Sequence, residues 1–202
     1  MHRQLPNLIS AARLVAGPVL IGLALARVED AFRWLLIVAL VSDIADGWIA
    51  RRFGLQSRVG AMLDSAADAM TLLSATAGIA AFHPEVFREH GTGIGLVVGG
   101  WILVSVFALL RYRRLSSFHT YASKAAGYAL GFFLAALFLY GFVTVLFFAA
   151  LLLSICASVE ELALLWHLPV WQADVRGLRW VLRERRSAAA QRSDSGSPTQ
   201  PD

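Results

Sequence analysis

Apolar residues run along this chain in six long stretches, about 8–26, 31–50, 60–81, 92–110, 125–142 and 143–166. Each is long enough to cross roughly 30 Å of hydrocarbon as a helix. The stretches at 92–110, 125–142 and 143–159 contain no charged side chain. A soluble bundle needs a polar face on every helix, and nothing else in the chain would cover six helices that lack one. The pattern therefore predicts an all-α membrane protein with six transmembrane helices. The first stretch does not read as a cleavable signal peptide, because it is too long, contains Arg13 and has no clear small-residue cleavage site.

Polar positions sharpen the picture. Of the 18 Lys and Arg residues, fourteen fall on one side of the predicted spans, including Arg51, Arg52, Arg58, Arg111, Arg113, Arg114, Lys124 and six arginines of the tail. Only Arg27, Arg33 and Arg88 fall on the other, and Arg13 lies inside the first span. This asymmetry predicts that both termini are cytoplasmic. It also accounts for the sequence pI of about 9.8 without any nucleic-acid partner. The single cysteine, Cys156, lies in the sixth stretch and excludes an intrachain disulfide.

Length and composition add the boundaries. The 202 residues, 57% of them hydrophobic, suggest one six-helix domain over 1–168. Beyond Pro169, Trp171, Val175, Leu178 and Leu182 recur at helical spacing among Arg176, Arg179, Arg183 and Arg186. Residues 169–186 are expected to form a C-terminal amphipathic helix on the anionic cytoplasmic leaflet, and 187–202 a disordered tail.

Four acids stand out against this background. Asp43 and Asp46 are three apart near the end of the second stretch, and Asp64 and Asp68 four apart near the start of the third. Each pair occupies one helix face. The linking loop is short, so the two helices are expected to be antiparallel neighbours with all four carboxylates within about 12 Å of the cytoplasmic edge. Four charged aspartates at the centre of a membrane would cost about 10–14 kcal/mol at ~2.5–3.5 kcal/mol each, less at this shallower depth. Arg13 and Arg51 offset two at most, so the efficient remedy is one or two divalent cations with oxygen ligands. Gly47 and Gly60 lie on the same faces and leave room for a ligand close to the backbone.

These residues fit the pattern D-x2-D-G-x2-A-R-x8-G-x3-D-x3-D at every fixed position: Asp43, Asp46, Gly47, Ala50, Arg51, Gly60, Asp64 and Asp68. The chain thus resembles the CDP-alcohol phosphotransferases, a family of six-helix membrane enzymes. "PNLISAARLVAGP" is similar to the opening of the phosphatidylglycerophosphate synthase and cardiolipin synthase branches, with Ile9 and Ser10 in place of the usual Leu and Thr. The resemblance implies that an alcohol displaces CMP from a CDP-alcohol, commonly CDP-diacylglycerol, with two Mg²⁺ or Mn²⁺ ions. It implies metal ligation by Asp43, Asp46, Asp64 and Asp68, with Asp68 also the general base on the acceptor hydroxyl. A carboxylate on a divalent cation is a weak base, so Asp68 is expected to be the most loosely coordinated. Donor contacts fall to Asn7, Gly47, Ala50, Arg51, Ser57 and Gly60, and the resemblance adds a homodimer. A bacterial inner membrane is the expected location, with the site facing the cytoplasm.

The acceptor is less defined. The phosphatidylglycerophosphate synthases carry G-K-x-K-T at the start of the fifth helix. Here the stretch is "SKAAG", which keeps Lys124 but has Ala126 and Gly127 in place of the second Lys and the Thr. Lys124 with Arg111 or Arg113 is expected to hold a phosphorylated acceptor such as glycerol 3-phosphate. Phosphatidylglycerol or an inositol-type polyol is the alternative. Glu160 and Glu161 suit either acceptor hydroxyls or the tail arginines. A divalent-cation transporter is the competing class, but it requires polar residues across the whole bilayer. The outer halves "WLLIVAL" and "TLLSATAGIAA" offer few.

Overall fold

The computed structural model describes residues 5–54, 58–112 and 120–167, and the predicted tail helix and tail lie outside them. The described residues form six helices and no strand: α1 (Leu5–Leu25), α2 (Glu29–Arg52), α3 (Arg58–Phe82), α4 (Pro84–Tyr112), α5 (Tyr121–Tyr140) and α6 (Thr144–His167). Five are long and apolar enough to cross a membrane; α2, which carries the first aspartate pair, falls short on composition.

Local chemistry fixes the helix ends. α1 closes with the Val28 N–H donating to the Leu23 carbonyl at 3.0 Å, around Arg27 at φ 59°. Glycine is the usual residue in that left-handed position. Arg27 occupies it instead, and its guanidinium donates to the Ala81 carbonyl near the end of α3. α2 opens with Glu29 and Asp30, which complement the positive end of the helix dipole. Both bond Arg33, at 2.7 and 3.1 Å. α4 begins at Pro84, well before the apolar stretch at residue 92, because proline is already set for a first helical position and needs no N–H partner there. Buried Thr120 caps α5, its hydroxyl accepting from the Ser123 N–H at 3.1 Å.

The expected pairing of α2 with α3 is corrected by the structure. α1 packs extensively against both, and α2 and α3 touch each other only slightly. Small residues allow the wedge. A Cβ on Gly17 of α1 would lie 2.7 Å from the Met70 Cβ, so the backbones of α1 and α3 approach closely, and Ser74 donates to the Gly17 carbonyl at 3.0 Å. A short loop therefore brought α2 and α3 near each other without making them partners.

The main core lies at the end of the bundle away from the aspartates. Leu20, Phe32, Leu36, Ile79, Phe133, Leu137, Phe138 and Phe147 form it, with the Phe32 ring against Phe82 and Phe138 at centroid distances of 5.3 and 5.1 Å. A smaller cluster, Val104, Ala108, Leu164 and Leu165, joins α4 to α6 at the other end. Large apolar side chains also cover the outside of the bundle, among them Val15, Val38, Leu110, Val145 and Leu152. Such a surface matches lipid, not water.

Candidate active site

The aspartate end of the bundle holds a cavity of about 380 Å³. Asp43, Asp46 and Gly47 reach it from α2, Asp64 and Asp68 from α3, and Arg13 from α1. Arg13 stands at the centre of the acids, its side chain 1% exposed. Its Nη1 pairs with Asp43, and with Asp68 at 3.1 Å; its Nη2 pairs with Asp64 at 2.7 Å and Asp46 at 3.2 Å. The four carboxylates do converge, but around a cation of α1 and not across a direct α2–α3 contact.

They are not equivalent. Asp46 is buried and also accepts from the Ser10 hydroxyl at 2.9 Å. Asp43, Asp64 and Asp68 open toward the cavity, and one oxygen from each lies within 4.8 Å of the others. Oxygen ligands sit about 2.0–2.6 Å from Mg²⁺ or Ca²⁺, so ligands on opposite sides of one ion stand about 4–5 Å apart. The spacing of the three carboxylates is compatible with a shared divalent cation, and their hard oxygen donors suit it. One guanidinium also leaves four carboxylates with an excess of negative charge, which such an ion would reduce.

Other expected site residues separate into groups. Gly47 and Lys124 line the cavity; Asn7 and Gly60 belong to α1 and α3 but are not among its lining residues. Ala50 and Arg51 lie near the end of α2, with side chains outside the described set, and Ser57 and Arg113 fall outside the described residues altogether. Arg111 does not line the cavity; its guanidinium lies 5.7 Å from the Tyr112 ring centroid. It sits at the exposed end of α4, where the helix has already passed the pocket.

Arg13 was legible as an offset to the acids, but its pairing with all four, and the bond from Ser10 to Asp46, were not. The wall facing the aspartates is also polar, with Trp101 and Ser105 of α4, Ser123 of α5, and Ser154, Ser158 and Glu161 of α6. Single serines in apolar helices give little sequence signal, since their hydroxyls can bond the preceding turn.

Residues 3–171 match the family described as CDP-alcohol phosphatidyltransferase. The chain belongs to that family. Among CDP-alcohol phosphatidyltransferase relatives, it is 33% identical over 138 residues to a putative cardiolipin synthase of Mycobacterium tuberculosis, covering 63% of this chain and 61% of that protein. It is 32% identical over 117 residues to a cardiolipin synthase (CMP-forming) / mitochondrial hydrolase fusion protein of Schizosaccharomyces pombe, covering 58% of this chain and 19% of the fusion. It is 39% identical over 73 residues to a CDP-diacylglycerol–glycerol-3-phosphate 3-phosphatidyltransferase of Rickettsia bellii, covering 34% and 39%. In each case the match spans less than two thirds of the relative's length. No solved structure gives a significant match. The family and these relatives are named as phosphatidyltransferases and cardiolipin synthases, and none as a cation transporter.

Proposed function

We propose that the chain transfers a phosphatidyl group from CDP-diacylglycerol to an alcohol, with release of CMP. The observation that carries this reading is the meeting of Asp43, Asp64 and Asp68 in a cavity large enough for more than an ion. Bound divalent cations, two Mg²⁺ or Mn²⁺, would supply Lewis-acid charge to the diphosphate and to the departing CMP. Asp43, Asp46, Asp64 and Asp68 are the proposed ligands, with Asp46 fixed by Ser10 and Arg13. Asp68, its side chain 48% exposed, is best placed to orient the acceptor hydroxyl and take its proton as the new P–O bond forms. Asn7, Gly47, Ala50, Arg51, Ser57 and Gly60 are the proposed donor contacts, Arg51 offering bidentate donors to phosphate.

The acceptor is proposed to be an alcohol such as glycerol 3-phosphate, with phosphatidylglycerol the second reading because relatives of both kinds match. Lys124 is the proposed contact for an acceptor phosphate, since it shares the cavity with the aspartates. The test is CMP release by purified protein from CDP-diacylglycerol with each acceptor, in Mg²⁺ and after chelation. Turnover that persists undiminished in EDTA would rule out the metal role.

All six helices are proposed to span a bacterial inner membrane, with both termini and the site on the cytoplasmic side, as a homodimer. Residues 1–168 would form the transmembrane domain, 169–186 an interfacial helix and 187–202 a disordered tail. Exposed Trp48, Phe53, Tyr121 and Trp166 at the aspartate end, and Trp34 and Tyr140 toward the other, suit two interfacial aromatic belts. In a Cys156→Ser background, cysteines at Ser57 and Ser193 should label only from the cytoplasm, and one at Arg88, near the start of α4, only from outside. The reverse pattern would overturn the orientation.

A further inference from the structure

The wall opposite the aspartates has a chemistry of its own. Ser154, Ala157, Ser158 and Glu161 follow one another at helical spacing and all line the cavity, so one face of α6 turns a carboxylate and two hydroxyls toward it. Ser158 is pressed against α4 at Gly100, where an added Cβ would come within 2.9 Å of its Oγ. Ser123 hydrogen-bonds the Glu161 carboxylate from α5, and Lys124 borders the same space. Gly127 keeps the α5 side open, since a Cβ there would meet nothing within 4 Å.

A Ser123–Glu161 bond on its own would be a clasp between α5 and α6. A carboxylate has about four acceptor sites, however, and one serine hydroxyl uses only one. Acids within membrane helices are costly and functional by default. Glu161 faces the metal-binding carboxylates across a single cavity, where a substrate hydroxyl must arrive. Glu161 and Lys124 bring one acid and one cation to the cavity, which does not suit a ligand that is anionic throughout. It suits one with an uncharged hydroxylated end and a single anionic group further along.

Resting on the phosphatidyl-transfer reading, we infer that this wall is a subsite for a vicinal diol of the acceptor. Glu161 accepts from the hydroxyl next to the reacting one, Ser158 supports it, and Lys124 takes the anionic group. Free glycerol 3-phosphate and the headgroup of phosphatidylglycerol share that chemistry, and the wall reads the diol in either.

The test measures CMP release from CDP-diacylglycerol by the full-length protein with glycerol 3-phosphate, with phosphatidylglycerol vesicles, and with the 2-deoxy analogue of each. Turnover with the first or the second tells whether the diol comes free or on a lipid. Glu161→Gln should raise the acceptor KM about 10–100-fold, the range of a hydrogen bond to a charged group, and Ser158→Ala about 10-fold or less. The KM for CDP-diacylglycerol should stay within about twofold. With the 2-deoxy analogue, wild type and Glu161→Gln should converge, because the contact is already missing; a structural clasp would not produce that convergence. An unchanged acceptor KM in Ser158→Ala and Glu161→Gln, or equal losses with diol and deoxy acceptors, would overturn the inference. A wild type that releases no CMP with any acceptor would instead remove the phosphatidyl-transfer reading on which it stands.

Discussion

Asp43→Asn and Asp64→Asn should each reduce metal-dependent CMP release by about 10²–10³-fold or more while leaving the protein inserted and helical. Each substitution keeps the side-chain volume and removes a negative charge from the group of three oxygens within 4.8 Å of one another. A bound cation contributes several kcal/mol of transition-state charge stabilisation, and each 1.4 kcal/mol is a factor of ten in rate. Asp46→Asn should behave differently. Asp46 is buried against Ser10 and Arg13 and is not part of that group, so its loss should disturb protein stability as well as activity. Rates at saturating Mg²⁺ and Mn²⁺, beside thermal unfolding of the same samples, separate the two effects. Near-wild-type turnover in Asp43→Asn would mean that the acids have another purpose.

Legibility in the sequence followed how local the cause was. Six helices and the location of the four acids could be read because apolar length and the i,i+3 and i,i+4 spacings act within a single segment. The partners of each helix could not. Loop length suggested α2 beside α3, whereas Gly17, by admitting Met70 at close range, sets α1 between them. The start of α4 at Pro84 was hidden because Glu85, Arg88 and Glu89 break the apolar run without breaking the helix. At the acceptor side, Glu161 was visible in the sequence but ambiguous between hydroxyls and tail arginines. Its position on the cavity wall depends on the rotation of α6, which two serines and adjacent Glu160 and Glu161 mark only weakly in a mostly apolar helix. Arg111 shows the same limit: it shares the cytoplasmic edge with Lys124 in sequence, but Lys124 lines the cavity and Arg111, at the end of α4 where the helix has passed the pocket, does not.

Arg13 carries the second large expected effect. Among the described residues it is the only cation paired with the aspartates, touching all four at 1% exposure. Removing one partner from a buried ionic group costs about 3–5 kcal/mol because the remaining charge loses its compensation. Asp43 and Asp68 are nearly half exposed, so solvent screens their pairs, and most of the effect should come through Asp46 and Asp64. Arg13→Met keeps an unbranched apolar stem and removes the charge. Its chelator-treated form should therefore unfold at a markedly lower temperature than the wild type. Mg²⁺ should recover much of that loss, since an ion that binds only the folded state stabilises it by mass action, and the variant's uncompensated carboxylates should bind it more tightly. The metal-induced rise in Tm should thus be larger in Arg13→Met than in the wild type. Thermal unfolding in detergent over a Mg²⁺ titration measures both quantities without any need for turnover. An equal drop in Tm with and without Mg²⁺ would assign Arg13 to packing between α1 and its neighbours, and would leave the four aspartates without an internal counter-charge of functional weight.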